Sequence, residues 1–189
     1  WAARTARLEQ LAALSRQGLA QWDAPVAALA GRPFTRVIYL GSGPLEALAR
    51  EAALKVLELT AGRVLALANT PLGFRHGPKS TLDARTLVVV FRSVQPLARR
   101  YEQDLLEELR RDGVAGQVLA IGPHADIGAG DDYTLAVPAL EDPWLAPVWL
   151  PFAQLYALQR SAALGLAPDN PFPDGTVNRV VQGVTIHHA

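Results

Sequence analysis

Apolar residues in this chain gather into short compact runs, separated by longer stretches in which they recur at helical spacing. The first helical stretch covers about residues 3–22, with Leu8, Leu11, Ala12 and Leu19 on one face, and a second short helical piece follows over 26–30. Arg36 to Leu40 (RVIYL) has the length and β-branched content of a buried strand, and it stops at Gly41-Ser42-Gly43. Pro44 suits the first turn of the next helix, which runs to about Thr60 and ends before Gly62. The alternation then repeats. Strands are expected over 64–68, 86–91, 117–121 and 133–137, with helices over 76–82, 96–111 and 144–164. From Ala167 onward Pro, Asp, Asn and Gly dominate, which reads as a wrapping or mobile tail.

Strands alternating with helices define an α/β fold whose mainly parallel sheet is covered on both faces, a three-layer αβα sandwich with five strands. Ligands in such folds sit beyond the carboxyl ends of the strands, near a topological switch point. The segments 41–43, 69–77 and 92–95 all follow strands and should share one edge of the sheet. A natural division is a helical segment over 1–34, the α/β domain over 35–166 and a tail over 167–189.

Composition narrows the function. The chain has 189 residues, half of them hydrophobic, with a formal net charge of zero. No global charge argument points to nucleic acid or an anionic membrane. Cysteine is absent, so disulfides and thiolate chemistry are excluded. No run approaches the roughly 18 apolar residues of a membrane span, which makes cytoplasm the default expectation. The chain opens on Trp1 and contains no Met, as expected of a piece of a longer protein.

Candidate chemistry concentrates between Glu51 and Ser80. Glu51, Lys55 and Glu58 fall at i, i+4 and i+7, on one helical face. The only two lysines, Lys55 and Lys79, both lie in this stretch. A Lys between two carboxylates is either an exposed stabilising pair or the setting of a proton-transferring base. His76, in the sequence GFRHGPKS, lies in a shaped loop flanked by cations and is the strongest of four histidines. Gly41, Ser42 and Gly43 either cradle an anion with backbone N–H groups or form a tight strand-to-helix turn. They match neither a dinucleotide fingerprint nor a P-loop. Ser93 follows the most apolar strand at a binding-loop position, although Arg92 to Gln95 offers one hydroxyl and no glycine, so a plain connection reads better there. No spacing supports a metal site.

The motifs GSGPLEALAREAALKVLELTAG, PLGFRHGPKS and the terminal NRVVQGVTI resemble the sugar isomerase (SIS) domain, most closely the second such domain of tagatose-6-phosphate ketose/aldose isomerase-like proteins. The isomerase half of glucosamine-6-phosphate synthase is a more distant likeness. The resemblance implies a flavodoxin-like sheet and an aldose–ketose phosphosugar isomerase, or an amino-sugar-phosphate deaminase/isomerase converting galactosamine-6-phosphate to tagatose-6-phosphate, with no cofactor. It places the proton shuttle on Glu58, a supporting cation on Lys55 and sugar-ring opening on His76. Glu51, Gly41, Ser42, Gly43, Ser93 and Gln182 become substrate contacts. The His would come from a neighbouring subunit, which implies a homodimer, and the tail would close over the sugar. Gln182 stands where the distant relative has a Lys. The S-x-S-G-x-T phosphate loop of the family is missing from 92–96, so the resemblance implies that another such domain or subunit completes the site. The competing reading is a phosphosugar-binding or regulatory module without turnover.

Overall fold

A computed structural model describes residues 1–123, 132–175, 177 and 183–187. Five strands alternate with helices: β1 (Arg36–Gly41), β2 (Leu65–Asn69), β3 (Thr86–Phe91), β4 (Gln117–Pro123) and β5 (Tyr133–Leu135). All pair in parallel, in the order β2-β1-β3-β4-β5. This is the flavodoxin-like order, with its switch point between β1 and β3. The sheet is therefore wholly parallel, as the alternation implied.

The strands read as continuous apolar runs because both of their faces are buried. Val37, Tyr39, Leu87, Val89, Phe91, Leu119 and Ile121 face a core shared with α1 (Ala2–Ala30), α2 (Pro44–Leu59) and α5 (Asp142–Ala163). Ile38, Leu40, Val88, Val90 and Ala120 face the other way. They meet Phe74 of α3 (Pro71–Arg75) and Leu105, Leu106 and Leu109 of α4 (Pro96–Asp112). The two faces carry different chemistry, and this division matters below.

Two sequence expectations need correction. The N-terminal helix is one element of 29 residues, with Pro25 inside it rather than between two pieces. Its buried face is Leu11, Leu14, Gly18, Trp22, Val26 and Leu29, whereas Leu8 and Leu19 remain 63 % and 43 % exposed. The aromatic anchor explains the rotation. Trp22 packs on Trp149 and Phe152 at centroid distances of 6.3 and 6.2 Å, and a Cβ on Gly18 would approach the Trp22 ring to 2.8 Å. Beyond the helix end, the buried Arg160 of α5 donates to the carbonyls of Ala30, Arg32 and Phe34, each at 2.9 Å. The contact to Ala30 satisfies an acceptor that the helix terminus otherwise leaves open.

The second correction concerns the loop after β2. Its helix is α3, starting at Pro71, and not a helix over 76–82; a 3-10 turn occupies Pro78–Thr81. Thr70 accepts a hydrogen bond from the Gly73 N–H at 3.0 Å, and Pro71 occupies the first helical turn. His76-Gly77 then separates the two pieces. Smaller differences lie at the ends of β4 and β5, where pairing continues to Pro123 and stops at Leu135.

Candidate functional site

The parallel topology brings Gly41-Ser42-Gly43, Asn69-Thr70 and Arg92 to Gln95 to one edge, where the β1/β3 switch point lies. Two buried acids on the helices above that edge were missed in the sequence. Ser42 Oγ donates to Glu102 Oε1 at 2.7 Å, and the Ser93 N–H donates to Glu102 Oε2 at 2.9 Å. Ser93 Oγ donates to Asp142 Oδ2 at 2.6 Å, while the Val94 N–H donates to Asp142 Oδ1 at 2.8 Å. Arg92 Nε stands 3.6 Å from Glu102 Oε2, with both side chains almost fully buried.

A hydroxyl has one proton to donate. Those of Ser42 and Ser93 are donated to Glu102 and Asp142, which ties the two loops to α4 and α5. Burial pushes the Glu102 carboxyl above the ordinary range; hydrogen bonds from Ser42 and the Ser93 N–H and the Arg92 charge oppose this, and Asp142 adds to it.

Gly41 serves the turn by close approach. A Cβ there would lie 2.2 Å from the Leu45 carbonyl oxygen and 3.0 Å from the Glu46 nitrogen, both backbone atoms of the α2 start. Gly43 has φ +54°, a conformation that suits glycine. Gly41→Ala is expected to destabilise the chain by about 2–3 kcal/mol, because backbone must move to admit the methyl group. A urea midpoint unchanged from wild type would contradict that packing.

Lys55 and Glu58 occupy a different region. They lie near the far end of α2, roughly 20 Å from Gly43 at 1.5 Å per residue. Lys55 Nζ is 2.7 Å from Glu58 Oε2 and 3.4 Å from Glu51 Oε1, so the expected triad forms on one face. The hydrogen bond to Glu58 raises the Lys55 pKa; desolvation opposes it, and the charges of Glu58 and Glu51 reinforce it. Lys55 is thus held as a cation and is not the base. Glu58 Oε1 has no hydrogen bond among the described residues. Lys55, Glu58 and Leu59 line a cavity of about 460 Å³ whose other wall is the tail, residues 168–172 with Val177.

His76 is exposed at the end of α3, on the α3/α4 face of the sheet. Lys55 and Glu58 sit on the α1/α2/α5 face. A single chain therefore does not bring His76 to the Lys–Glu pair. The flanking cations point elsewhere: Arg75 pairs with Glu108, and Lys79 with Glu108 and Asp112, which ties the loop to α4. Gln182 lies outside the described residues.

No protein-family model matches the sequence. The chain is 52 % identical over 158 residues to the D-galactosamine-6-phosphate deaminase AgaS of Escherichia coli, covering 82 % of this chain and 41 % of that protein. Its fold matches the crystal structure of tagatose-6-phosphate ketose/aldose isomerase from Escherichia coli with a TM-score of 0.81 at 42 % identity, over 95 % of this chain and 46 % of that one. The C-terminal domain of glucosamine-fructose-6-phosphate aminotransferase from Francisella tularensis shares the fold, with a TM-score of 0.67 at 22 % identity over 87 % and 46 % of the two chains. The doubly wound sheet and these likenesses together place the chain in the sugar isomerase (SIS) family of α/β domains. Within that family its similarity runs to the galactosamine-6-phosphate deaminase and tagatose-6-phosphate isomerase group. The chain spans between about two fifths and a half of the length of these relatives. Among the described residues, no helix is long and apolar enough to cross a membrane.

Proposed function

We propose that this domain supplies the proton-transferring half of a phosphosugar aldose–ketose isomerase, acting on a 2-amino sugar phosphate with release of ammonia. The observation that carries the reading is the Lys55–Glu58 pair at 2.7 Å, set in a cavity that the tail covers. The relatives named for galactosamine-6-phosphate and tagatose-6-phosphate supply the substrate class.

In the proposed reaction the sugar is bound in its open-chain form. Glu58 Oε1 removes the proton from C2 and returns it to C1, through a 2-amino enolate whose charge at O1 Lys55 offsets, and O1 takes up the proton that the nitrogen gives up. The product of that shift is a ketimine at C2. Water adds to it, ammonia leaves, and the ketose phosphate remains. His76 opens the sugar ring. Its place on the opposite sheet face supports delivery from a second copy of the chain, hence a homodimer. The commitment of Ser42 and Ser93 to Glu102 and Asp142 supports placing the phosphate in a second unit of the same fold. Cytoplasm is the proposed setting, where sugar phosphates are metabolised.

The test is proton NMR in D2O with galactosamine-6-phosphate, using this chain beside the complete gene product. Deuterium entering at C1 or C2 together with ammonia is the expected result, with the complete product far more active than the domain. Saturable binding without exchange in either would replace this reading with that of a phosphosugar sensor.

A further inference from the structure

The cavity between α2 and the tail contains one charged group that the proton shift does not use. Lys55 is answered by Glu58 at 2.7 Å and Glu51 at 3.4 Å. Asp169 lines the opposite wall, and among the described residues it has no hydrogen bond or ion pair. Its neighbours there, Asn170 and Phe172, are neutral. Among the described residues Lys55 therefore meets more carboxylate than it can neutralise, and their balance is negative.

A negative cavity repels phosphate and attracts a cation. Resting on the deaminating reading above, we propose that Asp169 binds the ammonium at C2 of the amino sugar and so selects 2-amino over 2-hydroxy sugar phosphates. The chemistry favours this ligand on three counts. A primary ammonium offers three donors and a full charge, and a charge-assisted bond to a carboxylate is roughly twice as strong as one from a neutral hydroxyl. Among the described residues Asp169 has no partner to give up, so binding breaks no ion pair there. Holding the nitrogen on the tail side also leaves the C2–H free to face Glu58 on the helix side. Asp169 takes no proton from carbon in this scheme; it is a specificity-determining residue, placed by the turn in which the Asn170 N–H donates to the Ala167 carbonyl at 3.0 Å.

The experiment is calorimetric titration of the complete gene product carrying Glu58→Gln, which blocks turnover, with galactosamine-6-phosphate and with galactose-6-phosphate. The amino sugar should bind the tighter of the two. Adding Asp169→Asn should weaken the amino sugar by roughly tenfold, at the low end of the range for a charged hydrogen bond, and leave galactose-6-phosphate within about twofold. Asp169→Glu, which keeps the charge, should restore the preference. Equal weakening of both sugars, or an unchanged ratio, overturns the assignment of Asp169 and leaves the isomerase reading standing. If neither sugar binds while circular dichroism shows a folded protein, the isomerase reading itself fails and this inference with it.

Discussion

Replacing Glu58 by Gln should leave phosphosugar affinity nearly intact and cut turnover by roughly 10²- to 10⁴-fold, the usual contribution of a positioned acid–base group. Gln has the same shape and still accepts a hydrogen bond from Lys55, so the cavity wall survives. What it lacks is the capacity to take a proton at Oε1, the oxygen left open by the Lys55 pair. The loss should fall on kcat with KM little changed, because the missing interaction belongs to the transition state. Undiminished turnover would remove Glu58 from the mechanism. The opposite-face position of His76 supplies a second arm. If each site takes Glu58 from one chain and His76 from another, the Glu58→Gln and His76→Ala proteins are each inactive alone. Co-assembled in equal amounts they should recover about a quarter of wild-type activity, since half of randomly assorted dimers are mixed and each of those holds one intact site. No recovery would place both residues in the same chain's site, or His76 outside it.

Much of this arrangement could be read from sequence, for physical reasons that differ by element. Strands such as 36–41 and 86–91 are apolar on both faces, and the glycines and prolines after them mark the turns, so a parallel α/β sheet follows with little freedom. The Glu51–Lys55–Glu58 grouping was legible because helical spacing alone sets it. The face of α1 was misread: Leu8 and Leu19 look like core, yet Trp22 and the cleft made by Gly18 decide the rotation, and that depends on where Trp149 and Phe152 lie. Tertiary packing of that kind leaves no periodic trace. The start of α3 did leave a trace in Thr70-Pro71, a capping residue followed by a first-turn proline.

Glu102 is the instructive miss. It shares the buried stripe of α4 with Leu105, Leu106 and Leu109, at i, i+3, i+4 and i+7. A carboxylate on the apolar face of a helix is expensive unless something answers it, and that oddity was present in the sequence. Only the fold shows the answer: Ser42, the Ser93 N–H and Arg92 arrive from two other loops.

That cluster carries the largest expected effect on stability. Glu102→Ala should cost about 3–5 kcal/mol at pH 7.5, because it removes the carboxylate that faces the buried Arg92, which keeps its bond to Gln103, and leaves the Ser93 N–H without its acceptor. Glu102→Gln keeps the volume and one acceptor oxygen, so its cost should be smaller. The pH dependence has a definite sign. Burial raises the Glu102 pKa above its unfolded value, so the native state holds this proton more tightly than the unfolded chain. The stabilisation linked to that proton is complete below the ordinary carboxylate range, near ~4.3, and is lost as pH rises through the raised value. Wild type should therefore lose ground to Glu102→Gln between pH 4.5 and 7.5. Denaturant midpoints of the two proteins at both pH values measure this directly, and the comparison cancels the exposed Asp83 and the half-buried Glu108, whose lowered pKa values act in the opposite direction. A Glu102→Ala protein within about 1 kcal/mol of wild type would mean that the acid does not hold the loop, and Ser42 and Ser93 would then be available to bind an anion after all.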